Sequence, residues 1–175
     1  MRLNVCLAAL AATLVASPAF AQQAPTATDT ATAAARGVVL QTHKLVKDKD
    51  LDFGVVTVDA QGGTVSISAD ALGTRGTTLG VTALSGTYQA AKFLGEAAPL
   101  ETVQLTLTPP ATGVVTSTNG VDTIPVSLVL DAGGPTRQTN ASGQFTVYVG
   151  GTFTLAPNQA AGVYSENFDV KADYQ

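Results

Sequence analysis

Residues 145–155 have the sequence FTVYVGGTFTL, and this segment decides the fold class. Its apolar residues occupy every second position, interrupted only by Gly150-Gly151, and a similar alternation covers residues 164–174 after a turn-rich connection. A period of two is typical of a strand that buries one face. We therefore predict two long antiparallel strands that close the domain, with a bulge or bend at the two glycines.

The same alternation recurs upstream in shorter runs. It covers residues 64–68, 103–108 and 124–130, and stretches rich in Gly or Pro separate these runs. Pro125 lies on the outward side of the last run, where its missing N–H predicts a sheet edge. No apolar stripe of helical period lasts for three turns. The spacing predicts an all-β, immunoglobulin-like or pilin-like β-sandwich of about seven to nine antiparallel strands.

The N-terminus has the pattern of an export signal. A positive end at Met1-Arg2 precedes an apolar run, Val5–Ala16, and Ala19-Phe20-Ala21 offers small residues to a signal peptidase. We predict that residues 1–21 are a signal peptide and that the mature protein is exported to the periplasm, the cell surface or the medium. The alternative of a retained anchor is weaker, because the run is shorter than the roughly 20 residues of a membrane span.

Two further segments follow the predicted cleavage site. Residues 22–36 are almost only Ala, Thr, Gln and Pro, which predicts a flexible leader. Residues 37–175 are predicted to form a single β-sandwich domain. The only cysteine, Cys6, would leave with the signal peptide, so the mature domain must obtain its stability from burial alone. Residues 37–46 fit either the first strand of this domain or a donor strand for another one, and the sequence leaves both open.

Composition excludes several classes of function. The chain of 175 residues has a net charge of -4, so it lacks the cationic surface that nucleic acids and anionic lipids require. It contains one His, one Cys, one Met and no Trp, which leaves few of the residues that usually carry out chemistry. We therefore predict that the protein is not an enzyme and needs no cofactor.

Four aspartates have a spacing similar to that of a calcium loop. Asp48, Asp50 and Asp52 alternate, and Asp59 comes eleven positions after the first. Phe53 takes the place of the glycine that such a loop needs, and the last ligand would be Asp instead of a bidentate Glu. Two lysines also alternate with the acids. The pattern favours a solvated strand with alternating charges that discourage edge pairing.

The remaining polar candidates favour structural roles. His43 has no second His or Cys in the mature chain to complete a zinc or copper site, and no nucleophile elbow accompanies it, so we predict an exposed strand residue. Glu96 and Glu101 form a carboxylate pair of the kind that a glycosidase uses, but scattered surface positions explain them better. Asn140-Ala141-Ser142 matches a glycosylation acceptor and predicts a polar turn. Glu166 is expected near the start of a strand, in contact with water. No catalytic, cofactor-binding or metal-binding residue is assigned.

Three stretches together carry a family resemblance. They are DLDFGVV at residues 50–56, AAKFLGE at residues 90–96, and YVGGTFTL at residues 148–155 followed by GVYS at residues 162–165. In this order and spacing they resemble the domain of unknown function 4402 family over roughly Val38 to Tyr174. The resemblance implies an exported proteobacterial β-sandwich similar to subunits of Mat/Ecp-type fimbriae, with no established catalytic residues. Many fimbrial subunits contain a disulfide inside the domain, and the mature chain here cannot.

Two functions remain as expectations. The first is a fimbrial or surface-fibre subunit that assembles by β-strand addition, with copies of itself or related subunits as partners and a periplasmic chaperone and usher as further candidates. The second is a monomeric periplasmic or surface binding module without catalytic activity. Its ligand would be held by the loops at residues 73–78 or 119–123.

Overall fold

The computed structural model of the chain describes residues 33–175, so the predicted signal peptide and most of the predicted leader lie outside the described residues. Within residues 33–175 there are thirteen strands and no helix. The strands are β1 Lys44–Lys49, β2 Val56–Val58, β3 Gly63–Ile67, β4 Arg75–Thr77, β5 Val81–Ala83, β6 Ala91–Glu96, β7 Thr102–Thr108, β8 Val114–Ser117, β9 Thr123–Leu130, β10 Thr136–Gln138, β11 Gln144–Leu155, β12 Tyr164–Ser165 and β13 Asp169–Tyr174.

Strand β11 organises the larger sheet. Its first half pairs with β6 from Gln144 to Val149, and its second half pairs with β3 from Gly151 to Leu155. Its other edge pairs with β9. Antiparallel neighbours extend the sheet to eight strands, in the order β1-β6-β11-β9-β8-β12, with β4 attached to β3. One face of this sheet carries the odd-numbered residues of β11, which are apolar because the sequence alternates.

Shorter strands cover that face and complete a β-sandwich. A three-stranded sheet, β10-β7-β13, lies over one half, and the two-stranded pair of β2 and β5 packs at the other. The predicted all-β sandwich is therefore confirmed. Its interior has two apolar clusters. The first gathers residues of β6, β7, β11 and β13, and the second gathers Phe53 with residues of β3, β5, β8, β9 and the end of β11.

The alternating runs form strands where the sequence predicts them. Val65 and Ile67 of β3 are buried, as are Val103 and Leu105 of β7. These side chains share a face because successive residues of a strand point to opposite sides of the sheet. The predicted number of strands is wrong, since several strands of two to four residues have too few positions to show a period.

The predicted bulge at Gly150-Gly151 is wrong. β11 continues through both residues, and its register with β9 is unbroken from Val149 to Phe153. The glycines serve a different purpose. A Cβ on Gly150 would collide with the carbonyl oxygen of Ile67, and a Cβ on Gly151 would lie 2.6 Å from the carbonyl oxygen of Ser127. Glycine is needed here because β3 and β9 approach β11 closely.

The predicted pair of closing strands is also wrong. The alternation in residues 164–174 belongs to two strands, separated by Glu166–Phe168. β12 pairs with β8 in the larger sheet, whereas β13 pairs with β7 in the smaller sheet. The chain thus crosses from one layer to the other, and neither strand is a hairpin partner of β11. The turn-rich connection between β11 and Tyr164 does not determine whether the next strand pairs with β11.

Pro125 does not mark a sheet edge, because β9 lies between β11 and β8. The amide of Val126 donates to the carbonyl of Gly113 on the β8 side, so the backbone nitrogen of Pro125 points the other way. On that side Val126 is the last residue of β9 paired with β11. The missing N–H therefore falls at the end of the ladder with β11 and interrupts no pairing within it.

Candidate functional site

An apolar groove separates two segments that line the open side of the sandwich. Lys47–Val58 form one rim and Gln159–Phe168 the other; we call this space the interstrand groove. It has two compartments of about 390 and 720 Å³. Phe53 and Phe153 line both compartments, and their rings stack with centroids 3.8 Å apart. The floor consists of apolar side chains from the larger sheet: Val65, Ala91, Phe93, Val115, Ile124, Val126, Leu128 and Leu155.

The first rim contains a strand edge without a neighbour. β2 pairs with β5 alone among the described strands. Leu84 donates to the carbonyl of Val55, and Asp59 donates to the carbonyl of Gly80. In an antiparallel pair, hydrogen-bonded and non-hydrogen-bonded positions alternate. Thr57 therefore bonds to β5, while the N–H and C=O groups of Val56 and Val58 point away from β5.

The second rim has an equivalent edge. β12 is the terminal strand of the larger sheet, and its one described partner is β8. Thr118 donates to the carbonyl of Val163, so the backbone groups of Tyr164 point away from β8 by the same alternation. The Tyr164 hydroxyl donates to the carbonyl of Ala160 at 2.6 Å, and Gln159 donates to that hydroxyl. These bonds hold the segment before β12 in place along the groove.

Arg75 holds the first rim in place through hydrogen bonds to its backbone carbonyls. One guanidinium nitrogen donates to the carbonyls of Phe53 and Val55, each at 3.3 Å, and another donates to the carbonyl of Leu84 at 2.6 Å. The guanidinium also lies 4.5 Å from the ring centroid of Tyr88. A planar fork can satisfy several carbonyls at once, which a lysine ammonium cannot do in the same geometry. The rim is therefore a fixed part of the fold.

The segment before β1 is the most exposed apolar stretch of the domain. Val38 and Val39 are 85% and 96% exposed, and no strand within residues 33–175 pairs with residues 38–43. Of the two alternatives open for residues 37–46, the structure makes Lys44–Lys49 a strand of its own domain, paired with β6. The part that precedes Lys44 keeps no partner strand in the described chain.

The four aspartates of the calcium-like spacing are dispersed. Asp48 pairs with Lys92 at 3.0 Å, and its carboxylate raises the pKa of Lys92 by accepting a hydrogen bond. Asp50 pairs with Lys47 at 2.6 Å. Asp52 and Asp59 each accept a backbone N–H two residues further on, at 2.7 Å. Among residues 33–175, no three His, Cys, Asp or Glu side chains come close enough together to hold a metal ion.

The other polar candidates lie apart from one another. The ring of His43 contacts the Tyr174 ring edge-on, with centroids 5.7 Å apart. Glu96 belongs to β6, while Glu101 lies in the turn before β7. Asn140 accepts the amides of Ser142 and Gln144 in a turn, as the sequence predicts. Glu166 is exposed between β12 and β13, at the rim of the groove.

Sequence reasoning missed the groove. The loops weighed as ligand sites do not line it: residues 75–77 form β4, and residues 119–122 close on themselves as Asn119 accepts the amides of Val121 and Asp122. The alternation of Val56, Thr57 and Val58 was a signal for β2, but three residues are too few to identify a strand. That β2 and β12 both have a free edge depends on long-range pairing, which local pattern does not reveal.

The geometry defines an all-β sandwich domain with an open apolar groove. The chain belongs to the family described as Domain of unknown function (DUF4402), whose family model matches residues 44–174. Neither a curated protein nor a solved structure gives a match to the chain. In the part of the chain that is described, no helix has the length and apolar character to cross a membrane.

Proposed function

We propose that this protein is an exported structural subunit of a surface fibre or fimbria, and that it assembles by β-strand addition. The observation that carries the proposal is the interstrand groove, where an unpaired strand edge runs along an apolar floor. Unpaired edges are templates for strands from other chains. Main-chain hydrogen bonds would supply affinity, and the floor would select apolar side chains at alternate positions.

The geometry of such a contact favours a fibre. A strand donated by one chain to a groove of the next is a heterologous contact, because the two surfaces involved are different. Heterologous contacts form rings if the rotation closes and open filaments if it does not. Before assembly Val126, Leu128 and Phe153 of the groove stay partly exposed, so a periplasmic chaperone that lends a strand is a fitting partner, with an usher to exchange it.

The groove also supports the second candidate, a monomeric binding module. Its larger compartment of about 720 Å³ lies within the range of small-molecule sites. The lining combines aliphatic and aromatic side chains with polar groups such as Asp52, Thr57 and Gln159, so the ligand would be an amphipathic molecule or an extended peptide. No catalytic role accompanies either candidate.

A pair of proline variants tests strand addition. The Val58 N–H points toward the groove, so Val58→Pro removes a donor that the isolated domain does not use. The Thr57 N–H belongs to the ladder with β5, so Thr57→Pro should lower the free energy of unfolding by about 1 kcal/mol or more. Light scattering of the full chain over a range of concentrations measures association, and denaturant unfolding measures stability.

We expect wild-type oligomers that grow with concentration, and a Val58→Pro chain that stays monomeric and loses less stability than Thr57→Pro, because it loses packing of a half-buried valine but no hydrogen bond of the ladder. Thr57→Pro measures how much stability is lost when the ladder between β2 and β5 is broken. If Val58→Pro loses association without that loss of stability, the free edge of β2 is responsible for association. A wild-type chain that stays monomeric at every concentration, alone and after release from co-expressed chaperone, would contradict the fibre proposal. Binding of a small apolar molecule to that monomer would then establish the binding module.

A further inference from the structure

We propose that two copies of the chain pair their β1 strands antiparallel across a two-fold axis at Val46, so that the larger sheet continues from one copy into the other. This inference goes beyond the proposed function, because it uses another strand edge and another symmetry. Strand addition in the interstrand groove uses the edge of β2 and runs head to tail. Pairing of β1 with itself is isologous and stops at a dimer.

β1 is an edge strand with exposed side chains. It is the first strand of the larger sheet, and its partner among the described strands is β6. Of its six residues only Leu45 is partly buried, and the others are exposed. Val46 and its cross-strand neighbour Leu94 are 45% and 43% exposed, so two large apolar side chains lie together on the outer face of the sheet. A second chain can therefore reach both the edge and the adjoining face.

The bonds of β6 show which backbone groups of β1 are free. Ala97 donates to the carbonyl of Gly143, and the ladder between β6 and β11 continues from this pair. Because bonded and non-bonded positions alternate, the even-numbered residues of β6 bond to the even-numbered residues of β1. The N–H and C=O groups of Leu45 and Lys47 therefore point away from β6, toward the free edge.

The side chains of β1 select one register. The free backbone groups come opposite each other when the axis lies at Leu45, Val46 or Lys47. An axis at Leu45 sets Lys44 opposite Val46, and an axis at Lys47 sets two lysines opposite each other. An axis at Val46 places Lys44 of each copy opposite Asp48 of the other. Opposite charges at facing positions stabilise an antiparallel pair and like charges destabilise it, so the axis belongs at Val46.

The irregular end of β1 leaves this register intact. The register of β1 with β6 shifts between Lys47 and Lys49, and Lys47 is the last residue whose backbone bonds to the second copy. Asp48 lies within the shift. Its carboxylate pairs with Lys92 at 3.0 Å, on the outer face that also carries Val46. The charge of Asp48 is therefore available on the face where the two copies meet.

The joined sheets have rows of alternating charge on both sides of an apolar stripe. The stripe consists of Leu94 and Val46 of one copy followed by the same residues of the other, and their contact removes apolar surface from water. Each charged row consists of Glu96 and Lys44 of one copy, then Asp48 and Lys92 of the other. The alternating charges that discourage pairing with an unrelated strand are thus complementary to themselves.

A disulfide at the axis tests the contact. Val46 faces its own copy at a non-hydrogen-bonded position, where Cα atoms lie roughly 4.5 Å apart, within the range of a disulfide. The only cysteine of the chain is Cys6, so Cys6→Ser gives a background without thiols. In oxidised glutathione Val46→Cys should form a covalent dimer at least about tenfold more readily than Val129→Cys. Val129 is the matched control, since it is 54% exposed on β9, inside the same sheet.

Charge reversal tests the register. Lys44→Asp and Asp48→Lys each set like charges across the axis, so each variant alone should dimerise at least about tenfold more weakly than the parent chain. A mixture of the two variants restores opposite charges and should form a heterodimer about as strong as the parent dimer. Lys171→Asp, at an exposed position of β13, makes the same change in net charge and should alter dimerisation less than about threefold.

These chains also carry Val58→Pro, so that the groove does not contribute to association. The contact is smaller than a standard interface, so the dimer should form toward roughly millimolar concentrations, above the micromolar range of light scattering. NMR of the folded full chains measures it, because the amide signals of Leu45 and Lys47 should move as the concentration rises.

The outcomes separate this inference from the proposed function. Equal crosslinking of Val46→Cys and Val129→Cys would overturn the pairing of β1, and a mixture that dimerises no better than its separate variants would overturn the register. Wild-type oligomers that disappear in Val58→Pro, without crosslinking at position 46, would leave strand addition standing and reject the dimer. A chain that crosslinks at position 46 but forms nothing larger than a dimer would support this inference and contradict the fibre.

Discussion

The two halves of the sandwich differ in how their inner faces are covered. In the half that contains Val103, Leu105 and Val147, the sheet β10-β7-β13 lies over β6 and β11, and these three side chains are buried. In the half that contains Phe153, the cover is the short pair of β2 and β5, and the groove lies between β2 and β12, the terminal strand of the larger sheet. We call them the closed half and the open half.

The two halves differ in which of their groups are left without a partner in the isolated domain. Each half contains a buried apolar cluster, but a three-stranded sheet covers that of the closed half, whereas two strands of three residues cover that of the open half. The open half keeps an apolar floor, two unpaired strand edges and partly buried valines on β2. The N–H and C=O groups of these edges bond to no other described strand, and under the proposed function a second chain binds them. Substitutions in the two buried clusters should therefore affect stability, whereas substitutions at the edges of the open half should affect association.

The largest expected effect comes from a matched pair of leucines. Leu105 of the closed half is 2% exposed, so Leu105→Ala should lower the free energy of unfolding by about 2 to 5 kcal/mol. Leu128 lies where the two halves meet: it is partly buried, packs against the apolar cluster of the closed half and lines the groove, so Leu128→Ala should cost less than about half as much. Urea unfolding measures both. Equal losses would contradict the distinction between the halves, as would an association unaffected by Leu128→Ala.

Removal of a buried hydroxyl in the closed half should give the second-largest loss of stability. Thr139 is 2% exposed; its hydroxyl donates to the carbonyl of Ala98 at 2.6 Å and accepts the amide of Glu101 at 3.0 Å. Thr139→Val keeps the shape and leaves both backbone groups without this partner, which should cost about 1 to 3 kcal/mol.

Thr78 is the control for this substitution. Its hydroxyl accepts the amide of Thr64 in an exposed position of the β3–β4 hairpin, where water can replace it. Thr78→Val should therefore cost less than about 0.5 kcal/mol. Thermal unfolding of the two variants compares them directly. A larger loss for Thr78→Val than for Thr139→Val would mean that the hairpin, and not the closed half, limits stability.

How much of this could be predicted from the sequence depends on the range of the interactions involved. The strands around Val65, Val103 and Val147 were predictable, because burial of one face leaves a period of two in the local sequence. The partners of β12 and β13 were not, since Tyr164 and Tyr174 share an alternation that is the same in either layer. The groove could not be predicted for the same reason: Val56 and Val58 have a free edge because no other described strand reaches it. The role of Gly150 likewise depends on Ile67, far away in the chain.

Replacing Arg75 should lower the free energy that holds the first rim of the groove in place by about 1 kcal/mol. Arg75→Lys keeps the charge but cannot reach the carbonyls of Phe53, Val55 and Leu84 together, so the rim should loosen. Hydrogen exchange of the Leu84 amide, which donates to Val55, should accelerate while amides of β7 keep their protection. Tyr88→Leu removes the ring alone and separates its contribution. Unchanged exchange at Leu84 in Arg75→Lys would show that the β2–β5 ladder holds the rim without the guanidinium.

The smallest effect concerns pH and the β3–β4 loop beside the open half. The amide of Gly73 donates to the Asp70 carboxylate and, with contributions from Ser68 and Leu72, holds the pKa of Asp70 below its ordinary value. A carboxyl group whose pKa is lower in the folded than in the unfolded state stabilises the fold above the unfolded value, about 3.9, and this contribution disappears as the pH falls through the folded value. Asp70 is fully exposed, so solvent keeps the contribution small.

Asp70→Asn keeps an acceptor oxygen and removes the titration. The wild type should therefore exceed the variant slightly in stability at pH 7, and the difference should diminish as the pH is lowered below the unfolded value of about 3.9. Urea unfolding of both chains across this range measures the difference, and NMR titration of the Asp70 side chain gives its pKa directly. In Asp70→Asn, amides of β3 and β4 should lose protection from hydrogen exchange, because the loop joins these two strands. Amides of β7 and β13 should keep their protection. A difference independent of pH would mean that the loop is held by the geometry of Ser68 and Gly73 and not by the carboxylate charge.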